Sequence, residues 1–186
     1  MRRVLILAVV SLVAAASVAA CIPLPDGASY SIRCPVKGRV SFTNDWHASR
    51  GPGILHEGND VFAPMWTENV AVVGGVIDLR TGTRSGNAIW LDGDDGNDYF
   101  YAHFVAWNGS DRRVAAGDVI GYTGMTGDAA GTSPHTHFEI HPGGAGGEPV
   151  NPYPSLVAAC MDRAGVRAAG SDDGDVSSAA DDGLER

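Results

Sequence analysis

Frequent turns constrain this chain more than any other feature. Between Cys34 and about Gly165 the apolar runs are short and bounded by glycine or charge: Val70–Val73, Gly75–Leu79, Ala88–Leu91, Tyr99–Phe104, Val119–Tyr122 and Thr136–Ile140. Each has strand length, several are rich in β-branched or aromatic residues, and the gaps carry turn residues. Asp92–Asp98 reads as a hairpin loop. Helical periodicity begins only after Pro154, where Leu156, Val157, Cys160, Met161 and Ala164 share one face, with Ser155 as the expected cap and Gly165 as the expected stop. The expectation is an all-β domain over residues 34–165, an antiparallel sheet with a short C-terminal helix. The 25 glycines follow no three-residue period, which excludes a collagen-like rod.

The ends differ from this domain. Met1-Arg2-Arg3 precedes an apolar run from Val4 to Ala20 that is broken only by Ser11 and Ser17. That run is marginal for the roughly 30 Å of a bilayer core and ends in small residues, so residues 1–20 read as an export signal peptide. Val18-Ala19-Ala20-Cys21 resembles a bacterial lipobox, in which Cys21 becomes a lipidated N-terminus; the same small residues also suit ordinary cleavage after Ala20. Residues 21–33, with Pro23, Pro25 and Gly27, are expected to form an extended spacer, and residues 166–186 a disordered acidic tail with too little apolar surface to fold. Either processing route puts the mature chain outside the cytoplasm, lipid-anchored to the membrane or secreted.

Charge and cysteine content narrow the class further. The formal net charge of −9 lacks the basic face that nucleic-acid binding needs. If Cys21 carries lipid, Cys34 and Cys160 remain as a pair in a compartment where a disulfide persists; the alternative is two buried free thiols.

Two histidine patterns stand out among six histidines. In His56-Glu57-Gly58-Asn59-Asp60, an extended backbone puts His56, Gly58 and Asp60 on one face, and Gly58 has no side chain to block a metal between the other two. In the strand around Thr136–Ile140, His135, His137 and Glu139 share one face while Thr136, Phe138 and Ile140 face the core. Two histidines and a carboxylate form an open zinc set, with a fourth position left for water. His47 and His141 read as surface or hydrogen-bonded residues.

These motifs resemble those of the lysostaphin-like zinc endopeptidases. His56 to Pro64 is similar to their first zinc motif. Gly121 to Gly127, followed by Pro134 to Ile140, is similar to their second. Tyr99 to Phe104 matches the intervening strand that carries one more histidine, and Asn151-Pro152 resembles the end of the domain. The resemblance implies that His56, Asp60 and His137 bind one zinc ion and that His103 and His135 are catalytic. It implies a substrate as well: the peptide part of peptidoglycan, lying in an open groove floored by the sheet. Glu57 or Glu139 is a candidate to hold the outer nitrogen of a liganding imidazole. The sequence departs from the family pattern at Asn59, at Thr136, in Met65–Asn69 and in a longer link from Gly127 to Pro134, and none of these removes a ligand. The rival expectation is a non-catalytic relative that binds the cell wall or activates another hydrolase.

Overall fold

The computed structural model describes residues 29–144 and 146–161. The expected export signal, Cys21 with its expected lipidation, and the expected acidic tail lie outside the described residues. In chain order the strands are β1 (Ser49–Gly51), β2 (Ile54–Leu55), β3 (Asn59–Phe62), β4 (Glu68–Val70), β5 (Gly75–Gly82), β6 (Gly86–Gly93), β7 (Asn97–Phe104), β8 (Ala106–Trp107), β9 (Arg112–Val114), β10 (Val119–Tyr122) and β11 (His135–Pro142). Among the described residues a 3-10 turn, Gly127–Ala129, precedes β11, and helix α1 (Tyr153–Met161) follows it.

A six-stranded sheet in the order β3-β11-β7-β6-β5-β9 forms the body of the domain, beside a three-stranded sheet β4-β10-β8 and the hairpin β1-β2. All pairings between these strands are antiparallel. The fold is therefore the expected one. The hairpin between β6 and β7 is tighter than its acidic loop suggested, because pairing continues to Asp92 opposite Asp98.

One face of the large sheet carries the core. Ile77, Ile89, Leu91, Tyr99, Tyr101, Phe138 and Ile140 are wholly buried there and join Ile120 of β10 and Leu156 and Cys160 of α1 in one cluster. The Tyr101 hydroxyl donates to the Val70 carbonyl at 3.2 Å and accepts the Val72 N–H at 3.0 Å, which ties the two sheets together without leaving a buried polar group unpaired.

Period-2 alternation explains which residues face away from this core, with one exception. Counting from Tyr99 and Tyr101, strict alternation would send His103 inward and Phe104 outward. Between Asn87 and Ile89, however, β6 advances two positions while β7 advances three, from Tyr101 to Phe104, so β7 holds one extra residue. His103 adopts a left-handed backbone, φ 69°, at this bulge. Its side chain turns to the outer face and Phe104 returns to the core, fully buried. A bulge that redirects a side chain in this way is a known device beside functional sites.

Helix α1 starts at Tyr153, ahead of the Ser155 cap that its sequence pattern implied. Asn151 Oδ1 accepts the Tyr153 N–H at 3.0 Å and satisfies the start of the helix. Ser155 lies inside the helix, and its Oγ accepts the Tyr30 N–H at 2.9 Å instead of capping. Residues 29–33, at the end of the expected spacer, lie against the domain: Tyr30 and Ile32 pack on the core, and the Arg33 N–H donates to Val72 O at 2.9 Å. Cys34 and Cys160 are joined as a disulfide with Cα atoms 4.9 Å apart, so the first segment of the domain is bonded to its closing helix.

Candidate active site

The outer face of the large sheet floors an open groove. Phe100 and Ala102 of β7 and His137 and Glu139 of β11 form the floor; the β1-β2 hairpin makes one wall, and the β5-β6 turn with the 3-10 segment makes the other.

Three ligand atoms converge at this floor. Asp60 stands directly opposite His137 in the β3-β11 ladder, so the two side chains share a face. Asp60 Oδ1 is 3.2 Å from His137 Nδ1 and 3.1 Å from His56 Nε2, and the two imidazole nitrogens are 2.8 Å apart. Among the described residues this is the group of His, Cys, Asp and Glu side chains whose donor atoms could hold one metal ion, all within 4.8 Å of one another. Gly58 clears the space beside it: a Cβ there would lie 2.7 Å from His137 Cε1 and 2.5 Å from the Phe138 carbonyl. Two neutral imidazoles and one carboxylate, partly open to a groove, are a donor set that fits a divalent ion with a free fourth position.

The surroundings decide which nitrogen of each ligand is available. His56 Nδ1 lies 3.0 Å from the Asp45 carbonyl, which can only accept and so favours the proton on Nδ1 with Nε2 turned to the cradle; the Arg50 guanidinium sits 2.9 Å from Nδ1 and 3.1 Å from Nε2. His137 is reversed, with Nε2 2.7 Å from Glu139 Oε1 and Nδ1 turned to the cradle. Burial alone would lower the pKa of His56, but hydrogen bonds to Asp45 and Asp60 push it up to about 9. Burial opposes charge on Asp60 as well, yet hydrogen bonds to His137 and His56 hold it well below the usual carboxylate range.

His103 and His135 flank the cradle, with ring centroids 5.0 Å apart. His135 Nε2 is 3.8 Å from Asp60 Oδ1. Each Nδ1 faces a backbone carbonyl, Thr126 O at 2.9 Å for His103 and Ser133 O at 2.8 Å for His135. Both rings therefore keep their proton on Nδ1 and present Nε2 as an acceptor. Burial, reinforced by the His135 imidazole, pushes the His103 pKa down to about 4, so this ring is neutral at ordinary pH.

All five residues singled out in the sequence come together here. Of the two candidate glutamates, Glu139 holds an imidazole, whereas Glu57 is exposed on the rim. His141 is buried and has acceptors at both nitrogens, Glu139 Oε2 at 2.6 Å and Gly147 O at 2.8 Å; these contacts raise its pKa against burial, and the ring braces Glu139. His47 is exposed and stacks on Trp46. Sequence reasoning did not find Asp45 or Arg50. The Arg50 guanidinium donates to Asp60 Oδ2 at 2.5 Å and to Asp45 Oδ2 at 3.1 Å. Nor did it find Arg84 and Asp128, paired at 3.3 Å on the opposite wall. None of the four belongs to a local pattern that marks it.

The profile of peptidase family M23 matches residues 54–152. The chain is 38% identical over 100 residues to the DD-carboxypeptidase/endopeptidase Mpg of Neisseria meningitidis serogroup B, covering 53% of this chain and 22% of that protein. It is 30% identical over 149 residues to the L-Ala--D-Glu endopeptidase of Bacillus subtilis, covering 72% of this chain and 44% of that protein. The match thus spans less than half the length of either relative. Among solved structures, the catalytic domain of the antimicrobial peptidase lysostaphin from Staphylococcus simulans superposes with a TM-score of 0.52 at 28% identity, over 62% of this chain and 90% of that domain.

Proposed function

Because the chain belongs to peptidase family M23, we propose that it is a zinc-dependent endopeptidase that hydrolyses the peptide part of peptidoglycan. One observation carries this reading: three ligand atoms within 4.8 Å of one another are flanked by two histidines whose Nε2 atoms are acceptors. The relatives named DD-carboxypeptidase/endopeptidase and L-Ala--D-Glu endopeptidase support the substrate class.

In this reading His56 Nε2, Asp60 Oδ1 and His137 Nδ1 hold the ion. When bound, zinc lowers the pKa of water towards about 7 and polarises a carbonyl. His135, next to Asp60, takes the proton of the attacking water on Nε2. An imidazole that has gained this proton becomes a donor and delivers it to the departing amine, so the proton is balanced over the cycle. His103 Nε2, beside His135, orients the water as an acceptor. The groove floor takes an extended peptide. The chain acts outside the cytoplasm, where the Cys34–Cys160 bond persists, with Cys21 as the lipid attachment point.

The test is mass spectrometry of muropeptides released from cell walls by zinc-loaded protein, beside its His135→Ala variant. New free amino termini from the wild type, reduced by about 10²- to 10⁴-fold in the variant, are expected. Binding to walls without release by either protein would instead favour the non-catalytic reading.

A further inference from the structure

Resting on the reading that the cradle holds zinc, we infer that Asp45 is a positioning residue for it: the Asp45 carboxylate, held by the buried amide of Asn59, fixes His56 with Nε2 towards the metal. Asp45 lies in the loop before β1. The hairpin brings it back to the site, because the His47 N–H donates to His56 O at 2.8 Å and the His56 N–H donates to Ala48 O at 2.9 Å.

Its carboxylate spans two of the three ligands. Oδ2 is 3.2 Å from His56 Nδ1, the nitrogen that the Asp45 carbonyl also meets. Oδ1 accepts the Asp60 N–H at 3.4 Å and the Asn59 side-chain amide. The carbonyl and the carboxylate both accept at this nitrogen, against the Arg50 guanidinium, which can only donate and lies 2.9 Å from it. The carboxylate adds negative charge at the outer nitrogen, which makes the ring a better ligand.

Asn59 shows what the arrangement requires. It is wholly buried, and its Nδ2 donates to Thr43 O at 2.7 Å as well as to Asp45. Its Oδ1 is the buried side-chain polar atom that has no partner among the described residues. An apolar side chain would avoid that desolvation cost. What the amide supplies in return is a pair of N–H donors, one of them to the carboxylate that touches His56.

The experiment measures zinc affinity by chelator competition for the wild type, Asp45→Asn, Asn59→Leu and the double variant, with thermal midpoints as the check on folding. Asp45→Asn should bind zinc about 10- to 100-fold more weakly. Asn59→Leu should shift in the same direction, and the double variant should be no weaker than Asp45→Asn, because Asn59 acts through Asp45. A folded Asp45→Asn with unchanged affinity, or single effects that multiply in the double variant, would overturn the inference. A second measurement needs no variant: ring-nitrogen NMR of zinc-loaded wild type should show the His56 proton on Nδ1, and its absence there would also overturn it. A wild type that takes up no zinc removes both this role and the proposed function. A wild type that binds zinc yet releases no muropeptide removes the function alone, and the affinity comparison still decides the role of Asp45.

Discussion

His137 and Asp60 face each other across the β3-β11 ladder, with Nδ1 3.2 Å from Oδ1. Because β3 is the edge strand of the six-stranded sheet, an ion held between these residues also fastens that edge to its neighbour.

Zinc should therefore raise the thermal midpoint as well as bind one to one. A ligand at about 1,000 times its dissociation constant stabilises by about 4 kcal/mol. Scanning calorimetry with and without zinc should show that increment in the wild type and its loss in Asp60→Asn and His137→Ala, with elemental analysis reporting zinc falling from one per chain to near zero.

The space at Gly58 gives a second test. A methyl group there meets the His137 ring and the Phe138 carbonyl at well under normal contact distance. Gly58→Ala is expected to cost about 1 to 3 kcal/mol in a denaturant titration and to weaken zinc binding at the same time. A variant that stays as stable as the wild type and fully loaded would contradict the packing described.

His103 should titrate far below an ordinary histidine. Burial and the His135 imidazole push it down to about 4, so between about 6.5 and 4 the unfolded chain holds a proton that the folded chain lacks. Stability then falls as the pH drops through that window. An NMR titration should find the His103 ring shifts constant from pH 7 to 5, and His103→Gln should have a shallower loss of stability on the acid side. A midpoint near 6.5 for this ring would count against the environment assigned to it.

The Cys34–Cys160 bond closes a loop with a sequence separation of 126. Its removal, by reduction or by Cys34→Ser with Cys160→Ser, is expected to cost about 2 to 5 kcal/mol, read from the denaturant midpoint. The metal cradle lies on the other face of the sheet, so the folded reduced protein should keep its zinc.

How much of the site was legible in advance depends on how local each feature is. The face shared by His135, His137 and Glu139 follows from the pleat alone, as does the grouping of His56 with Gly58 and Asp60. Strand period also separated the core side of β11, Thr136, Phe138 and Ile140, from its groove side. The helix start was misread because Ser155 is a good capping residue by type. Asn151 reaches the first free N–H, and the Ser155 hydroxyl is taken by Tyr30, 125 positions away.

By itself, then, the sequence determined the alternation within each strand, the turns between strands and the inventory of metal-binding side chains, because these depend on neighbours a few residues apart. Tertiary structure alone decided the pairing of β3 with β11, the bulge that turns His103 outward, and the placing of Asp45 against His56 and of His141 against Glu139. Register and bulges are settled by which ladder buries Phe104 and Phe138 and satisfies the backbone. That balance is struck between segments far apart in the chain, and no local spacing encodes it.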